Sequence, residues 1–254
     1  MKYSIILFFS FIILISCQTR QEPAGKSSNN TKPEAQTNEA RQEATFTVSD
    51  EKPVQNQLKE INPPSNDAKN ASVNFRRGLE LIQTKKYSEG IDYLNRALAS
   101  EPNNGRIYFN RGFAYYSMKE YDKALADFTS ALNINPVDTN ALLYSGVVRF
   151  YQGDLQGALR DYSDAIANSK NYGAAYLNRG LIKGQTKDYK GAIEDFTQAL
   201  RINPKYSAAY YNRGLAFFYT RDTNNACMDW NQALLMGAPD AQKAVDTYCK
   251  NFKK

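Results

Sequence analysis

A glycine returns at a constant interval of 34 residues along most of this chain, at Gly78, Gly112, Gly146, Gly180 and Gly214. The phrase around it is also repeated: Y-F-N-R-G ends at the second of these glycines, Y-L-N-R-G at the fourth and Y-Y-N-R-G at the fifth. A fixed period of this size is typical of stacked helical hairpins, each of which buries its apolar face only against its neighbours. The period therefore predicts that stability comes from the stack.

Five blocks follow when each glycine is placed at position 8: 71–104, 105–138, 139–172, 173–206 and 207–240. A small residue recurs at position 20 and alanine at position 27, whereas position 24 is always large and apolar or aromatic. Small residues at positions 8 and 20 let two antiparallel helices approach closely, and position 24 is expected to fill the space between hairpins. A helical glycine costs about 1 kcal/mol relative to alanine, so close packing must compensate for it.

These blocks resemble the tetratricopeptide repeat (TPR), and the resemblance covers about two thirds of the chain. It implies an all-α fold, an α-solenoid of five TPR-like helical hairpins plus a C-terminal capping helix. Residues 241–254 supply that helix and a tail, and one apolar stripe runs along it: Ala241, Ala244, Val245, Tyr248 and Phe252. A cap of this kind shields the last hydrophobic face of a solenoid.

Residues 1–16 have the proportions of the positively charged and apolar regions of a secretory signal peptide. An early positive charge precedes an apolar run that is shorter than the roughly 20 residues needed to span a membrane. The junction L-I-S-C resembles a lipobox, which implies cleavage before Cys17 and lipidation of its thiol. A plain signal peptide, or an uncleaved anchor, is the alternative. Residues 17–70 are predicted to be the lipidated cysteine followed by a disordered tether, because they are polar and contain five prolines.

Arginine at position 7 is accompanied by aspartate at position 23 of the same block, in the pairs Arg111 and Asp127, Arg179 and Asp195, and Arg213 and Asp229. This pattern predicts an arginine–aspartate contact, either within a repeat or across adjacent repeats. The third block keeps Asp161 but has Ser145 at position 7, and the first has Arg77 with Tyr93, so both are expected to lack the contact.

Two cysteines remain beside Cys17, namely Cys227 and Cys249. They lie at similar distances on either side of a turn near Gly237, so two antiparallel helices would bring them face to face. In an oxidising compartment an even pair predicts a disulfide that joins the cap to the last repeat. Two buried free thiols are the alternative.

The composition argues against an enzyme. The chain has no histidine, which removes the usual general base, histidine-dependent triads and most zinc sites. The recurring aspartates belong to the repeat pattern, and no P-loop or nucleophile elbow is present. No cofactor and no metal site are expected. The net charge of +6 comes without a basic helix or phosphate loop, so no nucleic-acid partner is expected either.

The resemblance implies that the first helices of the hairpins line a concave groove with positions 2, 5, 6, 9, 12 and 13 of each block, here called the inner face. Aromatic residues supply contact area and amides pair with a peptide backbone. The partner-binding groove is predicted to comprise Phe109, Asn110, Phe113, Tyr116, Tyr144, Tyr151, Asn178, Tyr211, Asn212, Phe218 and Tyr219. The alternative is that about half of these residues pack in the core.

The function expected from these features is a membrane-anchored scaffold or adaptor for protein–protein interaction in the bacterial cell envelope, with a partner peptide or protein in the groove. Gln18 follows the lipidated cysteine where an inner-membrane retention aspartate would stand, which favours the periplasmic face of the outer membrane. The competing interpretation is a glycan- or lipid-binding sensory module. Self-association through the solenoid ends stays open, and the clamp that holds C-terminal carboxylates in some relatives is absent.

Overall fold

The structure is a computed structural model that describes residues 66–250, with side chains described from residue 70. Within this range the chain forms eleven α-helices and no strand: α1 Asn66–Gln83, α2 Tyr87–Ser100, α3 Gly105–Ser117, α4 Tyr121–Ile134, α5 Thr139–Tyr151, α6 Leu155–Asn168, α7 Gly173–Gln185, α8 Tyr189–Ile202, α9 Ser207–Tyr219, α10 Thr223–Leu235 and α11 Ala241–Tyr248. The first ten helices pair into five hairpins, and α11 packs on α10. The predicted all-α solenoid with a C-terminal cap is confirmed.

Several predicted features lie outside the described residues. They are the signal peptide 1–16, the lipidated Cys17, most of the tether and Phe252 of the cap stripe. The first helix begins at Asn66, ahead of the predicted start of the first block at residue 71. No helix in the described part of the chain is both long and apolar enough to cross a membrane.

The turn inside each hairpin has the same backbone conformation at position 15 of the block. Four non-glycine residues adopt positive φ angles of 61° to 67° there, namely Lys85, Lys119, Lys187 and Arg221, and Gly153 has φ 82°. In the last three repeats an aspartate follows and its carboxylate accepts a hydrogen bond from the backbone three residues later, with Asp154, Asp188 and Asp222 in this role. A left-handed residue therefore ends the first helix of each hairpin, and in the last three repeats an aspartate cap starts the second helix.

The recurring glycine lies against the large residue at position 24 of its own repeat. A Cβ atom on Gly146 would come within 2.6 Å of the Tyr162 ring, and one on Gly214 within 2.7 Å of the Trp230 ring. In the fifth repeat the carbonyl oxygen of Ala226, at position 20, lies 3.2 Å from the same Cβ position. Position 24 was expected between hairpins, but its ring covers the glycine of its own hairpin, so both small positions serve the contact within a repeat.

The first helices lie on the inner side of the array. The first helices α1, α3, α5 and α7 each contact the first helix of the next repeat, whereas among the described residues no two second helices approach as closely. Helices on the inner side of a curved stack are nearer to one another than those on the outside. The side chains that α3, α5, α7 and α9 direct away from their partners therefore line the concave side.

The cap is fixed covalently to the last repeat. Cys227 on α10 and Cys249 after α11 are bonded, with an S–S distance of 2.02 Å and a Cα–Cα distance of 5.6 Å. Around this bond Trp230, Ala241 and Ala244 form a buried cluster. The two antiparallel elements face each other across the turn at Gly237, where φ is 86°.

Candidate functional site

The predicted groove residues all lie on the first helices, but they differ in burial. Phe109, Tyr144, Asn178 and Asn212 are buried. Six residues are half-buried, namely Asn110, Phe113, Tyr116, Tyr211, Phe218 and Tyr219. Tyr151 has 43% of its surface exposed. The inner face therefore has a buried layer and an accessible layer, and a ligand would meet the accessible layer before it reached the buried one.

An aromatic cluster joins the second repeat to the third. The ring centroid of Tyr144 lies 5.3 Å from that of Phe113, 5.6 Å from Tyr116 and 5.9 Å from Phe109. The Phe128 ring of the core lies 6.0 Å away on another side. The edge-to-face contacts in this set have the geometry that aromatic rings prefer. Tyr144 is thus the central ring of a cluster that reaches from the core to the inner face, here called the aromatic cluster.

Two stacked tyrosine pairs lie beside the inner face at equivalent junctions. Tyr121 stacks on Tyr151 with centroids 5.4 Å apart, and Tyr189 stacks on Tyr219 at 4.7 Å. Each pair joins position 17 of one block to position 13 of the next. Sequence reasoning placed Tyr151 and Tyr219 at the groove but missed their partners. The sequence did contain a signal for these partners. Two blocks have a tyrosine at position 13, and the block before each of them has a tyrosine at position 17.

The three asparagines at position 6 are not equivalent. Asn110 Nδ2 donates to the carbonyl oxygen of Arg106 at 2.7 Å, and Asn212 Nδ2 donates to that of Ala208 at 2.8 Å. Asn178 is only 2% exposed, and both its Nδ2 and its Oδ1 lack a hydrogen-bond partner. A buried polar group without a partner costs about 1–3 kcal/mol. The fourth repeat therefore retains an amide that the fold itself does not satisfy.

The inner face has no negative charge. None of its positions carries aspartate or glutamate in any of the five blocks, and its cations are Arg76 and Arg106 in the first two repeats. The guanidinium of Arg106 lies over the Phe75 ring at 5.5 Å. The inner face is therefore positively charged at its N-terminal end and neutral beyond it. A ligand with an anionic group would be favoured at the N-terminal end.

The arginine–aspartate pairs hold the repeats in register. Arg213 donates to both carboxylate oxygens of Asp229, at 2.7 and 2.8 Å, and to the Thr197 hydroxyl of the preceding repeat at 3.1 Å. The same arrangement links Arg111 to Asp127 and Asn95, and Arg179 to Asp195 and Ser163. Hydrogen bonds to the aspartates raise the pKa of Arg111 and Arg179. The ion pair is within a repeat, and the arginine also reaches across to the preceding one.

The third repeat uses a different arginine. Ser145 Oγ donates to Asp161 at 2.7 Å, and Arg149, one turn later on α5, donates to the same carboxylate at 3.0 Å and to Asp154 at 3.0 Å. Burial raises the pKa of Asp161, although these hydrogen bonds oppose the shift. The expectation that this repeat lacks an ion pair is therefore wrong, because the arginine at position 11 takes the role of the missing arginine at position 7. In the first repeat Arg77 pairs with Glu80 instead, at 2.9 Å.

The described residues contain no group of three or more histidine, cysteine or acidic side chains that could hold a metal ion. The buried aspartates Asp127, Asp195 and Asp229 are each paired with an arginine, which identifies their role as structural. The features left over for binding are the accessible rings and the unpaired amide of the inner face.

Family models for the tetratricopeptide repeat match three segments, 105–138 and 173–206 by one model and 71–104 by another. These bounds are those of three predicted blocks. A search of curated protein sequences found no match.

Solved structures of similar fold include those of MamA, YrrB and PilF. MamA of Desulfovibrio magneticus RS-1 is 18% identical with a TM-score of 0.61, covering 68% of this chain and 97% of its own. YrrB, described as a TPR protein with an unusual peptide-binding site, is 17% identical with a TM-score of 0.59, covering 72% and 98%. PilF of Pseudomonas aeruginosa is 16% identical with a TM-score of 0.62, covering 74% and 93%. At these identities the likeness concerns the fold.

Proposed function

Because this chain is a tetratricopeptide-repeat protein, we propose that it is a protein–protein interaction scaffold whose inner face binds an extended segment of a partner. Proteins with this fold bind proteins or peptides and are generally scaffolds rather than enzymes. Their concave side is a long surface formed by rigid helices, so it can contact a chain over several repeats. The partner contact is assigned to α3, α5, α7 and α9.

The observation that carries this proposal is the unsatisfied amide of Asn178. The equivalent amides of Asn110 and Asn212 donate to their own helix, which Asn178 does not. A peptide main chain offers a carbonyl oxygen and an N–H at each residue, which are the two groups that a side-chain amide lacks here. Asn178 is buried, so a bound extended peptide would first displace the side chains that cover it. It would then pair with both atoms of the amide, and rings such as Tyr151 would cover its side chains.

We further propose that the scaffold is held at the periplasmic face of the outer membrane by a lipid on Cys17. The supporting observations are the apolar run that ends at this cysteine and the polar residues that separate it from α1. Cys17→Ser should move the protein from the membrane fraction to the soluble fraction and abolish incorporation of radiolabelled palmitate. Retention of the label would contradict the assignment of the lipid to this thiol.

The glycan- or lipid-binding interpretation is not favoured. Sugar sites combine aromatic rings with carboxylates and amides, and the inner face has no carboxylate. The unpaired amide of Asn178 fits a peptide main chain without any further group.

The decisive experiment separates binding from folding at Asn178. A photo-crosslinking amino acid at the exposed Tyr151 should capture a partner in cells, whereas one at Arg160, exposed on the second helix of the same repeat, should not. Asn178→Leu should then lower the captured yield at least several-fold while the melting temperature stays equal or rises, because an unpaired buried amide is removed. Equal capture from position 160, or capture unaffected by Asn178→Leu, would contradict the proposal.

The matched control is Asn212→Leu. Asn212 is also buried, but its amide donates to Ala208, so the substitution removes a hydrogen bond and should lower the melting temperature. If both leucine variants destabilise the protein equally, the asparagine of the fourth repeat is an ordinary structural residue.

A further inference from the structure

We infer that residues 44–51 of this chain, A-T-F-T-V-S-D-E, bind its own inner face and compete there with partners. The inference rests on the proposed function of the inner face as a peptide-binding surface. It concerns regulation of that surface by a segment that precedes the described residues.

The first argument is the composition of the chain that precedes the repeats. Between Cys17 and Pro53, Phe46 and Val48 are the only large apolar residues. They are separated and preceded by threonines, and β-branched and aromatic residues favour an extended chain. In an extended chain residues 46 and 48 point to the same side, so both side chains can enter one apolar surface. The half-buried rings of the aromatic cluster, Phe113 and Tyr116, form such a surface.

The second argument is charge complementarity in the correct order. Asp50 and Glu51 follow the apolar pair after one serine, and the cations of the inner face, Arg76 and Arg106, lie in the first two repeats. The chain enters the array at α1, so the acidic pair is nearer to the first repeat than Phe46 is. Four residues of extended chain span about 13 Å, and neighbouring helices lie about 8–10 Å apart. With the acids at the arginines, Phe46 reaches the aromatic cluster between α3 and α5.

The third argument is reach. Residues 49–65 connect the apolar pair to α1, and an extended chain of this length spans up to roughly 55 Å. The aromatic cluster begins one to two repeats from α1, on the order of 20 Å away at the usual spacing of packed helices. A short linker gives a tethered segment an effective concentration in the millimolar range. Even an intrinsically weak contact would therefore keep much of the inner face occupied.

The test uses the full chain with a photo-crosslinker at position 46. Its crosslinks should map to the inner-face residues of α3 and α5, and their yield should exceed that from position 55 several-fold. Gln55 is the matched control because it lies closer to α1 than Phe46 does, so proximity alone would give it the higher yield. Equal or higher yield from position 55, or crosslinks spread over second helices, would overturn the inference.

Charge and copy number give two further readouts. The double variant Arg76→Glu, Arg106→Glu should lower the yield from position 46 several-fold, and an unchanged yield would remove the charge argument. Mixing chains of natural isotope content with chains labelled with ¹⁵N distinguishes links within a chain from links between chains. Links within a chain are expected, whereas mixed-isotope links would assign the inner face to a second copy instead.

The outcome is separable from that of the proposed function. In cells, Phe46→Ser should raise the capture of a partner from position 151 several-fold, because the competing segment is weakened. Partner capture with no crosslink from position 46 would remove this inference and leave the proposed function standing. A crosslink from position 46 with no partner captured under any variant would remove the proposed function. It would leave standing the contact between residues 44–51 and the inner face.

Discussion

The junction between the second and third repeats and the junction between the fourth and fifth connect the same elements by different contacts. At the later junction Arg213 donates to Asp229 and also reaches Thr197 of the preceding repeat. At the earlier junction the equivalent residue is Ser145, and its hydroxyl bonds Asp161 inside the third repeat. Arg149 also stays within the third repeat.

Apolar rings take the place of the missing arginine link at the earlier junction. Both junctions have a stacked tyrosine pair, but the second and third repeats are also joined by the rings around Tyr144. Hydrogen bonds fix direction, whereas apolar contact is roughly proportional to area and has no direction. The comparison teaches that an arginine link joins the repeats at the later junction. The earlier junction, which lacks that link, is held by inner-face rings and by a hydrogen bond from Gln152 to Asp122 of the preceding repeat.

The largest expected effect is at the earlier junction. Tyr144→Ala removes the central ring of the aromatic cluster and should lower the free energy of unfolding by about 3 kcal/mol or more, as buried aromatic truncations do. Tyr219→Ala at the later junction should lower it by clearly less, because Tyr219 is half-buried and the arginine link remains. Urea unfolding followed by circular dichroism measures both. Equal losses would mean that the two junctions are held alike.

A smaller effect is expected from the ion pairs themselves. Double-mutant cycles to alanine should give a coupling of about 1–2 kcal/mol for Arg213 and Asp229, and under about 1 kcal/mol for Arg149 and Asp161. The first pair has two hydrogen bonds and side chains that are 18% and 8% exposed, whereas the second has one bond and exposures of 31% and 15%. A stronger coupling in the third repeat would reverse the comparison of the junctions.

The smallest expected effect is a dependence on pH. Burial raises the pKa of Asp229 above the usual 3.8, and its hydrogen bonds to Arg213 oppose the shift. The folded state then binds this proton more tightly than the unfolded state, so the group contributes stability below its ordinary pKa and loses that contribution as the pH rises through the raised pKa.

The difference in free energy of unfolding between the natural protein and Asp229→Asn should therefore fall by less than about 1 kcal/mol as the pH rises from roughly 3.5 to 6. Urea midpoints across this range measure it, and Asp161→Asn should show the same sign. A difference that grows with pH would show that the arginines outweigh burial in both repeats.

Much of the fold followed from the sequence because the repeat is a local and periodic pattern. Glycine at position 8 and a large residue at position 24 predicted the hairpin, and the joint occurrence of arginine and aspartate at positions 7 and 23 predicted the ion pairs. The use of Arg149 in the third repeat could not be predicted. Arg149 takes the role of the arginine that is absent at position 7, and whether its side chain is long enough to reach Asp161 depends on the three-dimensional structure.

The candidate site was only partly predictable. The inner-face positions followed from the resemblance, but burial divides them in a way that the repeat pattern does not contain. Asn110, Asn178 and Asn212 look alike in the sequence, yet only the structure distinguishes the amide that lacks a partner. The stacking of Tyr121 and Tyr189 depends on the next repeat, since each ring needs a tyrosine placed 30 residues later.

The bond between Cys227 and Cys249 gives the array a polarity. Repeats that contact only their neighbours can be lost one at a time from an end, and here the C-terminal end is closed by a covalent link while α1 has none. Progressive unravelling should thus run from the first hairpin toward the last. Under a pulling force applied through the N-terminus, the fifth hairpin would be the last to lose its structure.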